Sequence, residues 1–134
     1  MKDDNRTELI ITTVTNIGGG ESFFSERPVE LNGKESRMLS DRIPALNFRL
    51  RSSSPEYSSD WHVAGDPTLL LILKGRILIE LRTGEKKTFS EGEMFIAEDY
   101  LDGVEFDTLK HGHRAEVDGA KELQVLHLKL SERS

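Results

Sequence analysis

Two histidines and a neighbouring pair of carboxylates give this chain its clearest capacity for chemistry. His62 lies about 50 positions before His113, and the acidic pair Glu98-Asp99 lies between them. Imidazole nitrogens and carboxylate oxygens bind first-row transition metals, and either group can act as a general base. Two histidines and one carboxylate are enough for the facial triad of a non-haem iron site. Such a site forms only if the intervening chain brings these residues together.

The chain between the two histidines is predicted to form short antiparallel strands joined by glycine-containing turns. Residues 68–73 are nearly all apolar, which is typical of a strand buried on both faces. Residues 77–82 alternate in polarity, and residues 94–97 are a third apolar run. Consecutive strands of this length favour a sandwich or barrel, whose interior gathers polar residues that are distant in sequence.

Strands are also predicted on both sides of this region. Residues 8–17 are rich in isoleucine, threonine and valine, and residues 123–130 form the last strand. If the leucines at positions 126, 128 and 130 face the core, His127 faces away from it. Residues 46–51 alternate, with Leu46, Phe48 and Leu50 on one face and Asn47, Arg49 and Arg51 on the other. The total is about eight to ten short strands, and no segment requires a helix.

Composition restricts the class of protein and its partners. The 134 residues fit one domain. The absence of cysteine excludes disulfides and thiolate metal sites, and a cytoplasmic location is the simplest interpretation. The net charge is −6 and no basic stripe is present, so nucleic acid is not an expected partner. Residues 1–6 are polar and predicted to fray, and neither a signal peptide nor a membrane span of roughly 20 apolar residues is expected.

The order and spacing of the central motifs resemble the cupin superfamily, which consists of small β-barrels of jelly-roll type. In the first cupin motif, G-x5-H-x-H-x3/4-E-x6-G, His62 matches the first histidine and Gly75 matches the closing glycine. The second cupin motif fits from Gly92, and its histidine would be His113. A group of uncharacterised single-domain cupins resembles residues 45–130 more closely, through the segments 61–64, 73–75, 92–99 and 111–113.

The resemblance implies a metal site only in part. Cupins that bind a divalent transition metal hold it with three histidines and a carboxylate inside the barrel. Here Ala64 stands at the second histidine position and Thr68 stands at the glutamate position, and neither is a good ligand. His62 and His113 remain as the metal ligands that the resemblance implies, with Glu98 as a third ligand or the general base.

Each of these residues also has a purely structural interpretation. His62 could cap a strand end through a hydrogen bond, and Trp61 could pack at the rim of the fold instead of lining a pocket. Glu98 and Asp99 could be a solvated strand end, and at most one of two adjacent carboxylates points inward along a strand. His111 lies in a glycine-containing loop and is expected to be exposed to solvent.

We therefore predict an all-β, single-domain double-stranded β-helix of cupin type over residues 1–134. Residues 1–20 would be an N-terminal strand and linker, and residues 45–130 the conserved barrel. The leading functional hypothesis is binding of a small molecule inside the barrel, in a pocket formed by Trp61, His62, Glu98, Asp99 and His113.

Two other functions stay open at this point. One is a metal-dependent dioxygenase or isomerase that uses His62 and His113 as ligands, and the other is an interaction module with a filled barrel. A homodimer is the expected assembly, with residues 8–17 as a paired or swapped edge strand. The loop at residues 100–110 is longer than its counterpart in the similar cupins and allows a lid over the pocket.

Overall fold

The computed structural model describes residues 6–134, with side chains from residue 7 onward. The prediction that residues 1–6 fray concerns mainly residues 1–5, which lie outside the described residues, whereas Arg6 begins the first strand. The described chain forms ten strands: β1 (Arg6–Thr15), β2 (Phe23–Lys34), β3 (Arg37–Leu39), β4 (Ala45–Ser53), β5 (Thr68–Lys74), β6 (Arg76–Leu81), β7 (Lys86–Ser90), β8 (Met94–Ala97), β9 (His113–Val117) and β10 (Leu123–Leu130).

The strands form two sheets of unequal size. The larger sheet has the order β3-β2-β1-β8-β5-β10-β4, and the smaller sheet has the order β7-β6-β9. The β1–β8 pair is parallel, whereas the other paired strands are antiparallel. The all-β prediction is confirmed, and the two sheets are compatible with a jelly roll. Between residues 6 and 134, no helix has the length and apolar character that crossing a membrane requires.

The main core lies between the two sheets because strands from both sheets point apolar side chains at one another. From the larger sheet come buried side chains of β5, β8 and β10, such as Ile72, Phe95 and Val125. From the smaller sheet come Ile79 of β6 and Phe89 of β7, the latter stacked on Phe95 with ring centroids 4.3 Å apart. This packing fixes the distance between the sheets on which the cavity described below depends.

The opposite face of the larger sheet is also apolar, and part of it is uncovered. Leu46, Phe48 and Leu50 of β4 are exposed by 64, 63 and 66%. Phe48 lies beside Leu128 and Leu50 lies beside Leu126, so the apolar row continues onto β10. His127 therefore lies on the opposite, inner face. The prediction that the β10 leucines face the core between the sheets is wrong for Leu126 and Leu128.

β1 is an inner strand of the larger sheet over only part of its length. It pairs with β2 from Arg6 to Thr15, whereas β8 pairs only with Thr12, Thr13 and Val14. The larger sheet ends at β3 and β4. Residues 8–11 are not paired with β8, and the paired or swapped edge at residues 8–17 stays a prediction.

A close approach of two backbones brings the two histidine segments together. The amide of His62 donates to the carbonyl oxygen of His113, and the amide of His113 donates to that of His62, each at 2.9 Å. Gly112 passes directly over this pair with φ +84°, and a Cβ there would collide with the backbone of His62. Only glycine combines that positive φ with the space available. The backbone therefore places His62 beside His113 before any side-chain contact is considered.

Candidate functional site

The imidazole rings of His62 and His113 lie side by side, with centroids 4.6 Å apart and planes inclined by 54°. The Nδ1 of His62 lies 2.8 Å from the carbonyl oxygen of Asp60, which can only accept, so this nitrogen carries the proton. The Nδ1 of His113 lies 2.7 Å from Oδ2 of Asp99. Within residues 6–134, neither Nε2 atom has a hydrogen-bond partner, and both rings line a cavity. The unpaired Nε2 atoms of both rings are therefore available to a ligand in that cavity.

Asp99 holds His113 in place from behind the cavity wall. Its carboxylate is fully buried and accepts three hydrogen bonds, from Nδ1 of His113 at 2.7 Å, from the hydroxyl of Ser22 at 2.6 Å and from the amide of Ala64 at 2.9 Å. Burial raises the pKa of Asp99, but the hydrogen bond and charge of His113, with the bonds from Ser22 and Ala64, outweigh it and lower the pKa overall. Asp99 is therefore an ionised positioning residue.

His62 is neutral at physiological pH for a different reason. Burial lowers its pKa, although the hydrogen bond to the carbonyl of Asp60 acts in the opposite direction. The nearby His113 lowers the pKa further, because two imidazolium rings in contact would repel each other. The ring of His62 can therefore accept a hydrogen bond from a ligand, or ligate a cation, without first losing a proton.

The cavity between the two sheets has a volume of about 340 Å³. One part of its wall is apolar and includes Leu70, Ile77, Ile79, Phe95 and Val125. The remainder is polar and basic, and includes Arg49, Arg51, His62, His113, His127 and Lys129. A concave site with an apolar floor and a few convergent polar groups is the usual architecture of a small-molecule pocket.

Two of the five residues predicted to form the pocket line the cavity, namely His62 and His113. Asp99 lies one step behind, in contact with His113. Glu98 is 3% exposed, does not line the cavity, and accepts hydrogen bonds from the amide and hydroxyl of Ser134, each at 3.0 Å. Its predicted role as a general base or third ligand therefore has no geometric support.

Trp61 also lies outside the cavity lining. Its ring is covered by the guanidinium groups of Arg82, 4.0 Å from the ring centroid, and Arg114, 5.3 Å from it. Arg82 in turn donates to the carbonyl oxygens of Thr108 and His111. Trp61 therefore packs against the loop that leads into β9, as the alternative interpretation of a packed rim residue expected.

The loop at residues 100–112 does not line the cavity. His111, expected to be exposed, is buried instead and accepts a hydrogen bond on Nδ1 from the amide of Asp107 at 2.9 Å. Its ring packs against Gly20, where a Cβ would collide with it. His111 thus fixes the loop to the segment before β2. The prediction that this loop is a lid has no support from the cavity lining.

The cavity residues that were not predicted include Arg49 and Arg51 on β4 and His127 on β10. Arg49 lies directly opposite His127 in the antiparallel pairing, so both side chains are on the inner face. Burial lowers the pKa of His127, and the positive charges of Arg51 and Arg49 lower it further. The alternation of residues 46–51 was a usable signal, but it does not tell which of the two faces points inward.

The residues present do not fit a three-ligand metal site. A catalytic metal ordinarily keeps three protein ligands and an open position. The residues at the other two positions of the cupin motif, Ala64 and Thr68, line the cavity but bring neither an imidazole nor a carboxylate. In the part of the chain that the structure describes, no three His, Cys, Asp or Glu side chains are grouped so that they could hold a metal ion. His62 and His113 supply two nitrogens at most.

Replacing Asp99 with asparagine tests the buried hydrogen-bond network. Because the pKa of Asp99 is lowered on folding, its stabilising contribution is complete above the unfolded-state pKa of about 3.9 and disappears as pH falls through the lower folded-state pKa. At pH 7 the Asp99→Asn variant should lose on the order of 2–3 kcal/mol of unfolding free energy. That loss should shrink below about pH 4.

Urea unfolding of both proteins from pH 7 to pH 3 measures this difference. The matched control is Asp41→Asn, since Asp41 is exposed in the loop before β4, and it should change the unfolding free energy by less than about 0.5 kcal/mol. A loss in the Asp99→Asn variant that is the same at every pH would show that the charge of Asp99 does not contribute.

Comparisons with known proteins bear on the fold. No protein-family model matches the chain, and no curated protein is detectably similar in sequence. Among solved structures, the cupin domain of Cnp3 from Schizosaccharomyces pombe superposes with a TM-score of 0.50 and 10% identity, over 93% of this chain and 88% of that one.

Two further structures, both described as cupins, superpose less well. A cupin 2 conserved barrel domain protein from Rhodopseudomonas palustris has a TM-score of 0.46 and 11% identity, over 95% of this chain and 74% of that one. A cupin-2 domain containing protein from Shewanella frigidimarina has a TM-score of 0.44 and 18% identity, over 66% and 78%. The topology of the two sheets, together with the likeness to the Cnp3 domain, establishes that this chain has a cupin-like fold.

Proposed function

We propose that this protein binds a small organic molecule in the cavity between its sheets, as a sensor or accessory protein. The observation that carries the proposal is the cavity of about 340 Å³, which combines an apolar floor with the free Nε2 atoms of His62 and His113. Pockets of a few hundred Å³ with this mixture of surfaces are the default sites for small ligands.

The support for the two imidazoles as ligand contacts comes from how firmly they are held. Asp60 and Asp99 fix the Nδ1 side of the two rings, so the Nε2 atoms are already oriented before a ligand arrives. A preorganised polar group loses little conformational entropy on binding. The same pair could contact a hydroxyl, a carbonyl or a carboxylate of the ligand, so the imidazoles alone do not select among these.

A substitution that fills the cavity tests the proposal. Ala115 lies on β9 and lines the cavity, so the Ala115→Phe variant should exclude a ligand while remaining folded. Suitable probes are 3-phenylpropionate, 3-phenylpropanol and 3-phenylpropylamine, which share one apolar body. A probe at about ten times its dissociation constant stabilises the native state by about 1.4 kcal/mol, which raises Tm by about 2–6 °C for a domain of this size.

We expect at least one probe to raise the Tm of the unaltered protein and to lose that effect in the Ala115→Phe variant. The control is Ala120→Phe, because Ala120 is exposed in the turn between β9 and β10 and does not line this cavity. Failure of all three probes to bind, or equal binding by the Ala115→Phe variant, would count against a ligand in this cavity.

The second candidate is a metal-dependent cupin enzyme. The observation that favours it is the contact of two imidazoles whose Nε2 atoms are both free, with Asp99 behind one of them in the arrangement common around metal-bound histidines. The observation against it is the missing third ligand. The cavity proposal is therefore preferred.

Metal content decides between the two candidates. We expect untagged protein, after incubation with iron, manganese or zinc and dialysis, to retain well below one equivalent, because two imidazoles alone bind weakly compared with three or four ligands. Mass spectrometry of the metal measures this. One equivalent that is lost in both His62→Ala and His113→Ala variants, but kept in a His127→Ala variant, would make the metalloenzyme the leading proposal.

We also propose that a second copy of this chain covers the outer face of β4 and β10. The exposed side chains of Leu46, Phe48, Leu50 and Leu73 together leave on the order of 500 Å² of apolar surface uncovered, and a patch of that size commonly marks an interaction site. With the half-buried Leu126 of β10 beside it, the patch supplies more than half of the ~800 Å² that each partner buries in a standard interface, and flanking residues would supply the remainder. A flat strand face at a sheet edge meets a second copy most simply across a two-fold axis.

Charge placed in this patch should prevent dimer formation. The unaltered protein is expected to sediment at twice its monomer mass of 15.1 kDa, and the Phe48→Glu variant at the monomer mass, since burying an unpaired carboxylate costs several kcal/mol. The control is Leu109→Glu, because Leu109 is 81% exposed but lies in the loop before β9. Sedimentation of the unaltered protein as a monomer at its highest soluble concentration would refute the dimer.

We propose that the two sheets close into the double-stranded β-helix of a cupin barrel, with residues 45–130 as its conserved part. A cytoplasmic location stays a prediction from the sequence.

A further inference from the structure

The charged side chains of the cavity are concentrated on one wall. Arg49 and Arg51 come from β4, and His127 and Lys129 come from the neighbouring β10. This wall is basic although the whole chain has a net charge of −6. The placement is therefore not a consequence of overall composition.

Most of that positive charge is not neutralised within the site. Among residues 6–134, the one acidic side chain in the cavity lining is Asp66, and it pairs with Lys129 at 3.1 Å. Among the described residues, no carboxylate pairs with Arg49 or Arg51. Arg49 and Arg51 are both exposed to solvent and lie two positions apart on the same strand face, where like charges repel each other weakly. An anion between them would remove that repulsion.

Arg51 is held in position for such a contact. Its Nε donates to the hydroxyl of Ser53 at 3.2 Å, and its guanidinium carbon lies 4.5 Å from the ring centroid of Tyr57. Arg49 lies directly opposite His127, and the positive charges of both arginines lower the pKa of that histidine after the larger effect of burial. A bound anion would attract the guanidinium groups of Arg49 and Arg51, and its charge would oppose their lowering of the His127 pKa.

The rest of the cavity determines the kind of anion. Ile77 and Ile79 of β6 lie on the sheet opposite the basic wall, and Leu70 and Phe95 continue the larger sheet beyond His127. Together they form an apolar surface, which suits a hydrocarbon body. A volume of about 340 Å³ accommodates roughly ten to fifteen non-hydrogen atoms at the packing density of protein interiors. No glycine lines the cavity, so the backbone nests typical of phosphate sites are missing from its wall. A planar guanidinium fork matches a carboxylate.

From this arrangement we infer that the ligand is a small amphipathic organic acid, with its carboxylate between Arg49 and Arg51 and its apolar body against Ile77, Ile79 and Phe95. The inference rests on the proposed small-molecule site and specifies the chemistry of its ligand. The free Nε2 atoms of His62 and His113 then face a part of the ligand other than the carboxylate, where a hydroxyl or carbonyl would meet them.

Pairs of matched probes distinguish the contribution of the carboxylate to binding from that of the apolar body. The probes are 3-phenylpropionate, octanoate and indole-3-acetate, each beside its neutral primary amide, and calorimetry measures their binding. We expect at least one acid to bind at least about tenfold more tightly than its amide, since a charge-assisted bidentate contact is worth about 1.5–3 kcal/mol. The Arg49→Gln and Arg51→Gln variants should each weaken binding of that acid by about tenfold or more and leave its amide unchanged.

The control is Arg37→Gln, which removes the same charge from β3 at the opposite edge of the larger sheet. Thermal unfolding checks that the variants remain folded. Arg49→Gln should not lower Tm because its repulsion with Arg51 is relieved, whereas Arg51→Gln should lower Tm slightly because it also removes the contacts of Arg51 with Ser53 and Tyr57. Binding of an amide as tightly as its acid, or unchanged acid binding in the Arg49→Gln, Arg51→Gln double variant, overturns the inference. If neutral probes bind and acids do not, the organic-acid ligand is wrong while the small-molecule site stands; if no probe of any charge binds, both fail.

Discussion

The arrangement of the candidate site depends on the buried carboxylate of Asp99. It receives hydrogen bonds from three separate segments: Ser22 before β2, Ala64 before β5 and His113 at the start of β9. A buried charge is tolerated only when such partners compensate for its lost hydration. Each of the three segments is therefore fixed where Asp99 requires it, and the orientation of the His113 ring follows from that requirement.

The cavity wall farther from Asp99 differs in how its polar side chains are paired. The hydrogen-bonding groups of Asp99 and its donors are paired with one another, so this region positions His113. Along β4 the two arginines that face the cavity are exposed and have no carboxylate partner within the described chain. The Nε2 atoms of His62 and His113 and the guanidinium groups of these arginines are therefore the polar groups of the cavity that a ligand can meet.

Much of the fold was predictable because its signals are local. Residues 94–97 and 123–130 were predicted as strands, and β8 and β10 have those bounds. The proximity of His62 and His113 also followed, since consecutive antiparallel strands return the chain to the same place. The interior role of Arg49 and His127 did not follow. Alternation divides a strand into two faces, but the pairing partner decides which face is inside, and that is tertiary information.

The sequence also does not show which of the two neighbouring residues Glu98 and Asp99 supports the site, since this depends on their tertiary partners. Both follow an apolar strand and both are buried, yet one accepts hydrogen bonds from Ser134 and the other supports His113. Their side chains point in opposite directions, as the strand periodicity requires. The partner that ionises Asp99 most strongly, His113, is 14 positions away, and Ser22 is 77 positions away. Because these partners are far from Asp99 in the sequence, no local sequence pattern could assign the two roles.

The register of β4 on β10 determines both surfaces of this part of the molecule. A slip of one residue would move Leu46, Phe48 and Leu50 into the cavity and turn the arginines outward. Hydrophobic burial alone would favour that exchange, so other contacts must oppose it. Ser53 is buried beside Leu123 at one end of the strand pair, and the stacking of Arg51 on Tyr57 holds the middle. The native register thus retains a basic cavity wall and an apolar outer face. If a second copy covered that outer face, burial of its apolar side chains would stabilise the native register.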